Sequence, residues 1–499
     1  LLKMEETIDL KEQEHNRAIL KSTALLGGSS LITMLVSMVK SKIMAVLLGP
    51  EGVGFLGVLT NLQSLIITVA GLGLTSSAVR ELSHAIASGN EQHIATTAKT
   101  IRTIVWLTGF LGLFITLIGA RSFSKFSFNS YEYTAPIALM GISILLTVVS
   151  SGQSSILQGF RRIDLVAKIN IIGAVLGALA SIICFYFLRL DGVVPSLIAT
   201  AAVSLVFTWF YSHKISIADT SYERAEYKDE SKRLLALGMP IMLSGVLTTG
   251  TNYLIRAFLA REAGLGGVGQ YQAAFSFASV LVNFVLAAMG TDYLPRLTAI
   301  ADDNEKVKKE VNAQTQIALL VSVPLLAGTM VFMPFIVRLF YSSQFEQAIP
   351  ILRWAVLGIL GRIISWPMGF IMLAKSKSSV FFITELISDA MNIAATIVFY
   401  RIFGLEGSGI AFAFLYLFYI GLMLLVSRHI SEFKWDKVNI RTISIAVIVV
   451  LVLFLNNFAH ISMTLRYVLG IVIFLAVTFD FLLKLRRVSG IKLAHFWKR

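Results

Sequence analysis

Charged residues are scarce in this sequence. They make up 14% of its 499 residues, whereas soluble domains contain about 25%. Hydrophobic residues account for 56% and aromatic residues for 11%, and no stretch as long as a domain is polar enough to face water. This composition excludes a soluble multidomain protein and indicates a protein with many membrane spans.

Cysteine is almost absent, since Cys184 is the single one and lies in an apolar run. A lone thiol excludes a disulfide framework and a thiolate metal site. The seven histidines show no H-x-x-x-H or similar ligand spacing, so the sequence predicts neither a metal nor another cofactor. The nucleotide-binding pattern G-x-x-x-x-G-K-[ST] is also missing, which excludes a P-loop ATPase.

Long apolar runs dominate what remains. A membrane helix needs about 20 mostly apolar residues, and fourteen such segments can be counted. Strand-like alternation is absent from them, so the sequence predicts an all-α polytopic protein with about 14 transmembrane helices. The predicted spans are 22–48, 53–78, 101–120, 134–158, 165–188, 193–212, 234–260, 268–294, 312–340, 347–373, 379–402, 407–427, 440–458 and 464–483.

Lysine and arginine are distributed unevenly among the predicted connections. Six basic residues within three positions of a span end are counted with the adjoining connection. On that basis, alternate connections from the N-terminus contain 31 of the 43 basic residues, the others contain 7, and five lie deeper inside spans. Basic residues concentrate on the cytoplasmic side, so the pattern predicts both termini in the cytoplasm. The net charge of +14 is therefore a topology signal, and the sequence predicts no nucleic-acid partner.

A glycine-rich stretch occurs twice. The glycines of LLGPEGVGFLGVL (47–59) have the G-x-G-x-x-G spacing of a dinucleotide-binding loop, but the strand that such a loop requires does not precede them. A shift of 215 residues places residues 52–54 on 267–269, and Leu-Asp-Gly at 190–192 on Leu-Glu-Gly at 405–407. The sequence therefore predicts an internal repeat, with corners between the first two helices of each copy at Gly52, Gly54, Gly267 and Gly269.

The repeat defines the predicted organisation of the chain. Each copy contains an even number of helices, so both copies enter the membrane from the same side as parallel six-helix repeats. The predicted parts are a cytoplasmic N-terminal segment (1–21), a first lobe (22–212), a cytoplasmic linker (213–233), a second lobe (234–427) and a C-terminal helix pair with a basic tail (428–499).

Five basic residues lie inside predicted spans, where a charge is costly and suggests function unless the side chain snorkels to the interface. Arg362 is near mid-span, where snorkelling is difficult, and Trp366 one turn on is expected to stack on it. Arg353 lies near a span end, which suits snorkelling. Lys40 and Lys42 point about 200° apart on a regular helix, so they cannot line the same wall. Arg256 continues a four-residue polar series through Asn252.

Two carboxylates, Glu385 and Asp389, lie one turn apart on the predicted eleventh span. Both cannot be ionised in hydrocarbon without a partner. They predict either a proton or cation site, or a structural role as a pair with Arg362 or as an inter-helix hydrogen bond. Amide side chains on other spans are candidates for the polar lining of a cleft that suits an anionic, sugar-bearing ligand; they are Asn61, Asn252, Gln272 and Asn283.

Four stretches resemble the Wzx-type polysaccharide flippases of the multidrug/oligosaccharidyl-lipid/polysaccharide exporter superfamily. They are SKIMAVLLGPEGVGFLGVL, GLGLTSSAVREL, VGQYQAAFSFASVLVNFVLAAMGTDYLPRL and FIMLAKSKSSVFFITELISD. The resemblance covers about residues 22–427 and implies two six-helix lobes that form a V and work by alternating access. It also implies an undecaprenyl-diphosphate-linked oligosaccharide, of O-antigen or enterobacterial common antigen type, carried from the cytoplasmic to the periplasmic leaflet of a bacterial inner membrane.

The resemblance extends to single positions. Lys42, Arg256 and Arg362 match basic positions and are implied to bind the diphosphate, with Lys40 and Arg353 as further candidates. Glu385 matches an acidic position, which with Asp389 forms the candidate ion-coupling site. The implied partners are membrane lipid, a polysaccharide polymerase and a chain-length regulator.

Two other functions are weighed. A drug/cation antiporter of the same superfamily predicts an acidic cavity, against which the five basic residues in spans argue. A membrane polysaccharide polymerase needs a sizeable outer loop, and the longest, 121–133, has no evident acid/base pair. The sequence therefore predicts a transporter and not an enzyme. The last two helices depart from many relatives, which stop after twelve, and either hold the lipid tail or are peripheral.

Overall fold

The structure is a computed structural model that describes residues 2–215, 217, 224–458 and 462–489. For residues 2–24, 26, 224, 225, 283–285, 287–292, 488 and 489 the description covers the backbone alone. The chain divides into two compact units, residues 1–266 and 267–499, which we call unit 1 and unit 2. The predicted lobe boundaries describe the sequence repeat and stay a prediction.

Throughout the described residues the regular structure is helical, without a strand. Fourteen α-helices follow one another there, with short 3₁₀ turns at Arg189–Gly192, Ser343–Phe345 and Gly404–Glu406. They are α1 (Leu2–Gly71), α2 (Leu74–Ser88), α3 (Glu91–Phe128), α4 (Thr134–Gly159), α5 (Ile163–Leu188), α6 (Val193–His213), α7 (Arg224–Glu262), α8 (Gly264–Ala299), α9 (Asn304–Phe340), α10 (Ala348–Ala374), α11 (Ser378–Phe403), α12 (Gly407–Ser431), α13 (Lys437–Asn456) and α14 (Met463–Ser489).

Ten stretches of the described residues are long and apolar enough to cross a membrane. Two of them, 163–213 and 378–431, each contain two predicted spans, and a third, 27–71, covers most of two more. The all-α membrane architecture predicted from the sequence is therefore confirmed, whereas the number of fourteen spans stays a prediction.

The second predicted span ends earlier than expected. Leu72 and Gly73 both have positive φ angles, of 50° and 67°, and they stop the helix at Gly71. Residues 74–88 form a separate helix, α2, whose buried face consists of Leu74, Ser77, Ala78, Leu82 and Ala85. The apolar residues of α2 recur at helical spacing directly after an apolar run. From sequence alone, the start of α2 is therefore predicted to be the end of the second span.

The predicted corner between the first two spans is a kink inside α1. Its single non-helical residue is Gly49, with φ 63° and ψ −168°, just before Pro50. Gly52 and Gly54 lie in the helix that follows. The predicted corner, which begins at Gly52, is therefore three residues beyond the observed kink at Gly49. The kink leaves a carbonyl without its helical partner, and the Arg189 guanidinium donates from Nη1 to the Leu47 carbonyl oxygen over 3.3 Å.

The second corner is likewise displaced. Gly264, with φ 70°, separates α7 from α8, while Gly267 and Gly269 lie within α8. A side chain at Gly49 or Gly264 is disfavoured because L residues rarely adopt such angles. Gly52 needs its small size for a different reason, since a Cβ there would lie 2.3 Å from the Leu48 Cβ.

The offset of 215 residues seen in the sequence also relates backbone conformations. Gly49 corresponds to Gly264, and the positive φ angles of Arg161 and Arg189, 55° and 52°, recur at Ser376 and Gly404, 57° and 62°. Helices α5 and α11 begin and end at residues that differ by the same offset. A close approach between a glycine and a backbone carbonyl also recurs at this offset. A Cβ at Gly192 would lie 2.3 Å from the Cys184 carbonyl oxygen, and one at Gly407 would lie 2.0 Å from that of Phe399. The internal repeat is thus confirmed by the fold.

Unit 1 contains α7 as well as α1 to α6. Two backbones meet where α1 gives way to α2: a Cβ at Gly73 would lie 2.1 Å from the Gly238 carbonyl oxygen, and one at Gly238 would lie 2.2 Å from that of Leu72. Further along, the Tyr253 hydroxyl bonds to the Ser127 hydroxyl over 2.7 Å. These contacts hold α7 against α1, α2 and α3.

The N-terminal part of α7 is attached to α3 through a buried carboxylate. Glu230 is 5% exposed, accepts a hydrogen bond of 2.8 Å from the Thr97 hydroxyl and lies 3.7 Å from His93 Nε2. A polar pocket of about 300 Å³ surrounds this contact. Its lining residues are Asn90, Gln92, His93, Thr96, Glu226, Asp229, Glu230 and Arg233.

Replacing Glu230 with alanine is expected to destabilise unit 1 by about 2 kcal/mol, because the Thr97 hydroxyl loses its acceptor in a buried position. The measurement is the thermal unfolding midpoint of the purified protein in detergent. Glu226→Ala is the matched control, since this exposed carboxylate contacts Gln92 at 3.4 Å and is expected to change the midpoint little. Equal midpoints for both variants would contradict a structural role for Glu230.

Unit 2 is built around the packing of α10 on α12. Glycines of α10 bring the two helices close: a Cβ at Gly358 would lie 2.3 Å from Phe412 Cδ1, and one at Gly361 would lie 2.9 Å from Tyr416 Cβ. Small residues permit such close contact between membrane helices. The C-terminal pair packs on α9, where a Cβ at Gly328 would lie 3.1 Å from the Phe474 ring. Helices α13 and α14 are therefore part of this unit's core.

Candidate functional site

In unit 1 the predicted arginine of α7 is buried. Arg256 is 9% exposed and donates from Nη1 to the carbonyl oxygen of Asn252 over 3.1 Å and to its Oδ1 over 3.3 Å. Asn252 in turn donates to the Thr248 carbonyl oxygen over 2.8 Å. The polar series predicted from four-residue spacing is therefore a connected chain of hydrogen bonds along α7.

The two lysines of α1 lie on a regular stretch of helix, since Gly49 is the single non-helical residue inside α1. Lys40 and Lys42 therefore project to nearly opposite sides of α1, as their helical spacing predicts. Both are half-buried. Among the described residues the Lys40 ammonium makes neither a hydrogen bond nor an ion pair.

The part of α1 that follows the kink at Gly49 runs antiparallel to α7. A Cβ at Gly245 would lie 2.8 Å from Thr68 Cγ2, and one at Gly250 would lie 3.9 Å from Leu65 Cδ1. Asn61 lies one turn before Leu65 and donates to the Gly57 carbonyl oxygen over 2.7 Å. Continued along the helices, this register brings the Asn61 turn beside the part of α7 that follows Gly250.

In unit 2 the guanidinium of Arg362 lies over an aromatic ring of α12. Its Cζ is 5.9 Å from the centroid of the Tyr416 ring, within the range of a cation–π contact. The expected stacking on Trp366 is wrong, because that indole packs on Tyr293 and Phe370 instead. In the described part of the chain, no carboxylate lies within ion-pair distance of Arg362.

The carboxylate of Glu385 is held by a second tyrosine of the same helix. The Tyr419 hydroxyl donates to Glu385 Oε1 over 2.9 Å. Asp389, one turn further along α11, is half-buried, and its charge acts on Tyr416 together with those of Arg362 and Glu385. The structure thus brings the predicted arginine and both predicted acids together around two tyrosines, and does not pair Arg362 directly with Glu385.

Arg353 lies apart from this cluster. Arg353 precedes Arg362 by nine residues. In an α-helix this offset places the two side chains on opposite faces of α10 and separates them by about 14 Å along the helix axis. Its guanidinium lies over the Phe458 ring, 4.6 Å from the centroid, and the charges of Glu406 and Arg466 act on it. Its contacts are those of a packing residue at the end of the helix.

The remaining amides contribute differently. Gln272 on α8 is half-buried and donates to the Ser276 hydroxyl over 3.0 Å. The side chain of Asn283 lies outside the described residues. In the searched part of the chain, no cluster of three or more His, Cys, Asp or Glu residues suits a metal ion.

Two functional candidates were missed from sequence. Tyr416 and Tyr419 stand in the apolar run FLYLFYIG, where aromatic residues at helical spacing are typical of core packing. A signal was nevertheless present, because each tyrosine hydroxyl buried in a membrane needs a polar partner. Together with Arg362 and Glu385 they form a mid-helix site that offers a cation, an acceptor and two phenols.

Comparison with solved structures shows the fold. The lipid II flippase MurJ in its inward-closed conformation aligns with a TM-score of 0.69 at 16% identity, covering 94% of this chain and 100% of that one. An inward-facing multidrug resistance transporter of the MATE family aligns with a TM-score of 0.68 at 17% identity, covering 80% and 95% of the two chains.

Sequence comparison gives the family. The chain is 18% identical over 374 residues to the lipid III flippase of Escherichia coli K12, covering 74% of this chain and 88% of that protein. It is 21% identical over 392 residues to the lipopolysaccharide biosynthesis protein WzxC of the same organism, covering 77% and 75%. Residues 43–350 match the family described as polysaccharide biosynthesis proteins, in agreement with the resemblance drawn from the motifs. The chain therefore belongs to this family of polysaccharide biosynthesis proteins.

Proposed function

We propose that this protein is a flippase that carries an undecaprenyl-diphosphate-linked oligosaccharide from the cytoplasmic to the periplasmic leaflet of a bacterial inner membrane by alternating access. Its family membership and its similarity to proteins named as a lipid III flippase and WzxC support the substrate class. Both chain ends lie in the cytoplasm in this proposal, as the distribution of basic residues predicts.

The observation that carries the proposal is the state of Arg362. A guanidinium in the middle of an apolar helix is costly, and here it contacts an aromatic face rather than a carboxylate. It is therefore available to an anion that enters from outside the chain. A diphosphate suits it, because guanidinium groups bind phosphate oxygens in bidentate fashion.

Unit 1 contains basic residues of its own that suit a phosphate ligand. Arg256 is positioned by Asn252, and Lys40 and Lys42 project from opposite sides of α1, so one of the two is proposed for this role. The neutral amides and hydroxyls along α7 suit sugar hydroxyls. Arg353 has no part in this proposal, because its contacts are with Phe458 at the other face of α10.

Glu385 and Asp389 are proposed as the coupling site for a proton or another cation. The chain carries no nucleotide-binding motif, so a gradient or the removal of the product drives net movement. A polymerase and a chain-length regulator of the same pathway are the proposed partners, since they consume the flipped lipid. The protein itself is proposed to catalyse no covalent step.

The test is deletion of the gene in its own host, followed by extraction of lipid-linked sugars from the membranes. Undecaprenyl-diphosphate oligosaccharides are expected to accumulate on the cytoplasmic side. Wild-type protein is expected to clear them, and the Arg256→Ala/Arg362→Ala double variant, present at equal amount in the membrane, is expected to leave them. Unchanged lipid pools together with increased drug sensitivity would refute the proposal in favour of a drug/cation antiporter.

A further inference from the structure

Three helices of unit 2 are connected through a pair of tyrosines. The Arg362 guanidinium of α10 lies 5.9 Å from the Tyr416 ring centroid, and the Tyr416 and Tyr419 rings meet edge to face at 6.1 Å with an interplanar angle of 77°. The Tyr419 hydroxyl then reaches Glu385 of α11 at 2.9 Å. A continuous series of contacts thus joins a cation to a carboxylate that it does not touch.

We propose that Tyr416 and Tyr419 are positioning residues that make the hold on Arg362 depend on the charge of Glu385. The inference rests on the proposed function, because it assigns a coupling mechanism to the proposed diphosphate site. With Glu385 ionised, Tyr419 donates to the carboxylate and fixes its own ring. That ring supports Tyr416, whose face retains the guanidinium.

Uptake of a proton by the Glu385 carboxylate gives a neutral carboxyl, and the charge-assisted hydrogen bond from Tyr419 becomes an ordinary one. Charge-assisted bonds are roughly twice as strong as neutral ones, so the tyrosine pair loosens. Arg362 is then free to leave the Tyr416 face for the phosphate oxygens. The proton comes from water on the side to which the site is open, and no other bond is made or broken.

Two glycines of α10 lie beside the tyrosines and leave space for their side chains. A Cβ at Gly361 would lie 2.9 Å from Tyr416 Cβ, and one at Gly369 would lie 3.9 Å from the Tyr419 hydroxyl. A side chain at Gly361 would push α12 away from α10, whereas a Cβ at Gly369 would be in ordinary contact. Gly361 therefore keeps the Tyr416 ring within reach of the neighbouring Arg362.

The charged and titratable groups around Glu385 can be named for each helix of the cluster. Helix α12 contributes Tyr416 and Tyr419, α10 contributes Arg362, and α11 contributes Asp389 one turn beyond. Among these groups, the Tyr419 hydroxyl donates a hydrogen bond to the Glu385 carboxylate.

The test uses the full-length protein in liposomes with fluorescently labelled undecaprenyl-diphosphate N-acetylglucosamine as the probe, and follows its flipping between pH 5 and 9. Tyr419→Phe keeps the ring and removes the hydroxyl that joins it to Glu385, so the rate is expected to lose its dependence on pH between 5 and 7. Tyr186→Phe is the matched control, since this tyrosine is 61% exposed on α5, and its profile is expected to coincide with that of the wild type.

Two further variants separate positioning from structure. Tyr416→Leu removes the aromatic face beneath the Arg362 guanidinium and is expected to make the rate respond less to pH. If Tyr419→Phe does not fold, Glu385→Gln, which removes the charge at constant size, decides the question, since its rate is expected to be independent of pH between 5 and 7.

The outcomes are distinguishable. Flipping by the wild type with superimposable pH profiles for the wild type and Tyr419→Phe, or with an unchanged pH dependence in Glu385→Gln, would overturn the inference and leave the proposed function intact. Absence of flipping by the well-folded wild type would overturn the proposed function itself.

Discussion

Replacing Arg362 with alanine is expected to lower the rate of flipping about 100-fold in liposomes, with the protein still folded. Removing one partner of a buried charge pair costs about 2–5 kcal/mol, and the guanidinium is proposed to meet the diphosphate in the interior of the membrane. The fluorescently labelled lipid diphosphate is the probe, and its accessibility to an external quencher measures the rate. Arg362→Lys is expected to recover part of the rate, because it restores the charge without the bidentate geometry.

Arg353→Ala is the matched control for this experiment. It removes the same group from the same helix, but from the opposite face and from a contact with Phe458. Flipping by this variant is expected to remain within about threefold of the wild type, in keeping with the small effects of most exposed or partly exposed substitutions. Equal losses in the two variants would show that the helix, rather than a phosphate contact, is sensitive to charge.

Alanine at Gly73 is expected to prevent stable folding of unit 1. Its Cβ would lie 2.1 Å from the carbonyl oxygen of Gly238, which is backbone and cannot rotate away. The positive φ of 67° adds a cost of about 1 kcal/mol for any residue with a side chain, on top of about 1–3 kcal/mol for overpacking. Monodisperse yield in detergent and the thermal unfolding midpoint measure the effect.

Gly71→Ala is the control for that substitution, since it lies two residues away in a helix and a Cβ there would meet no atom within 4 Å. This variant is expected to be as stable as the wild type or slightly more so, because alanine favours helix. Gly238→Ala approaches the same crossing from α7, where the Leu72 carbonyl oxygen would lie 2.2 Å from the Cβ. A normal yield of Gly73→Ala and Gly238→Ala would contradict the close approach.

The membrane fold was predictable because its signal is strong. Runs of about 20 apolar residues leave few alternatives to helices, and the offset of 215 residues was visible in short matches such as Leu-Asp-Gly and Leu-Glu-Gly. Breaks between helices were less predictable. Gly49 stops a helix through its φ angle. The proline that follows it was a signal of a break, but the repeated Gly-Val-Gly placed the predicted corner at the later glycines.

The candidate site was predictable where charge is costly. Arg362, Glu385 and Asp389 were identified because ionisable residues in apolar spans need an explanation, and the structure brings them together. Tyr416 and Tyr419 were missed because their rings pass for core packing. Lys40 and Lys42 were predicted to lie on different sides of α1, and the regular helix around them agrees with that prediction.

The placement of α7 has a consequence for the ancestry of the chain. By sequence offset this helix opens the second copy of the repeat, yet it packs within unit 1, against α1, α2 and α3. Duplication and fusion therefore did not leave two self-sufficient halves, because the first copy completes its core with a helix borrowed from the second. An isolated first copy would therefore lack a helix against which its own core packs.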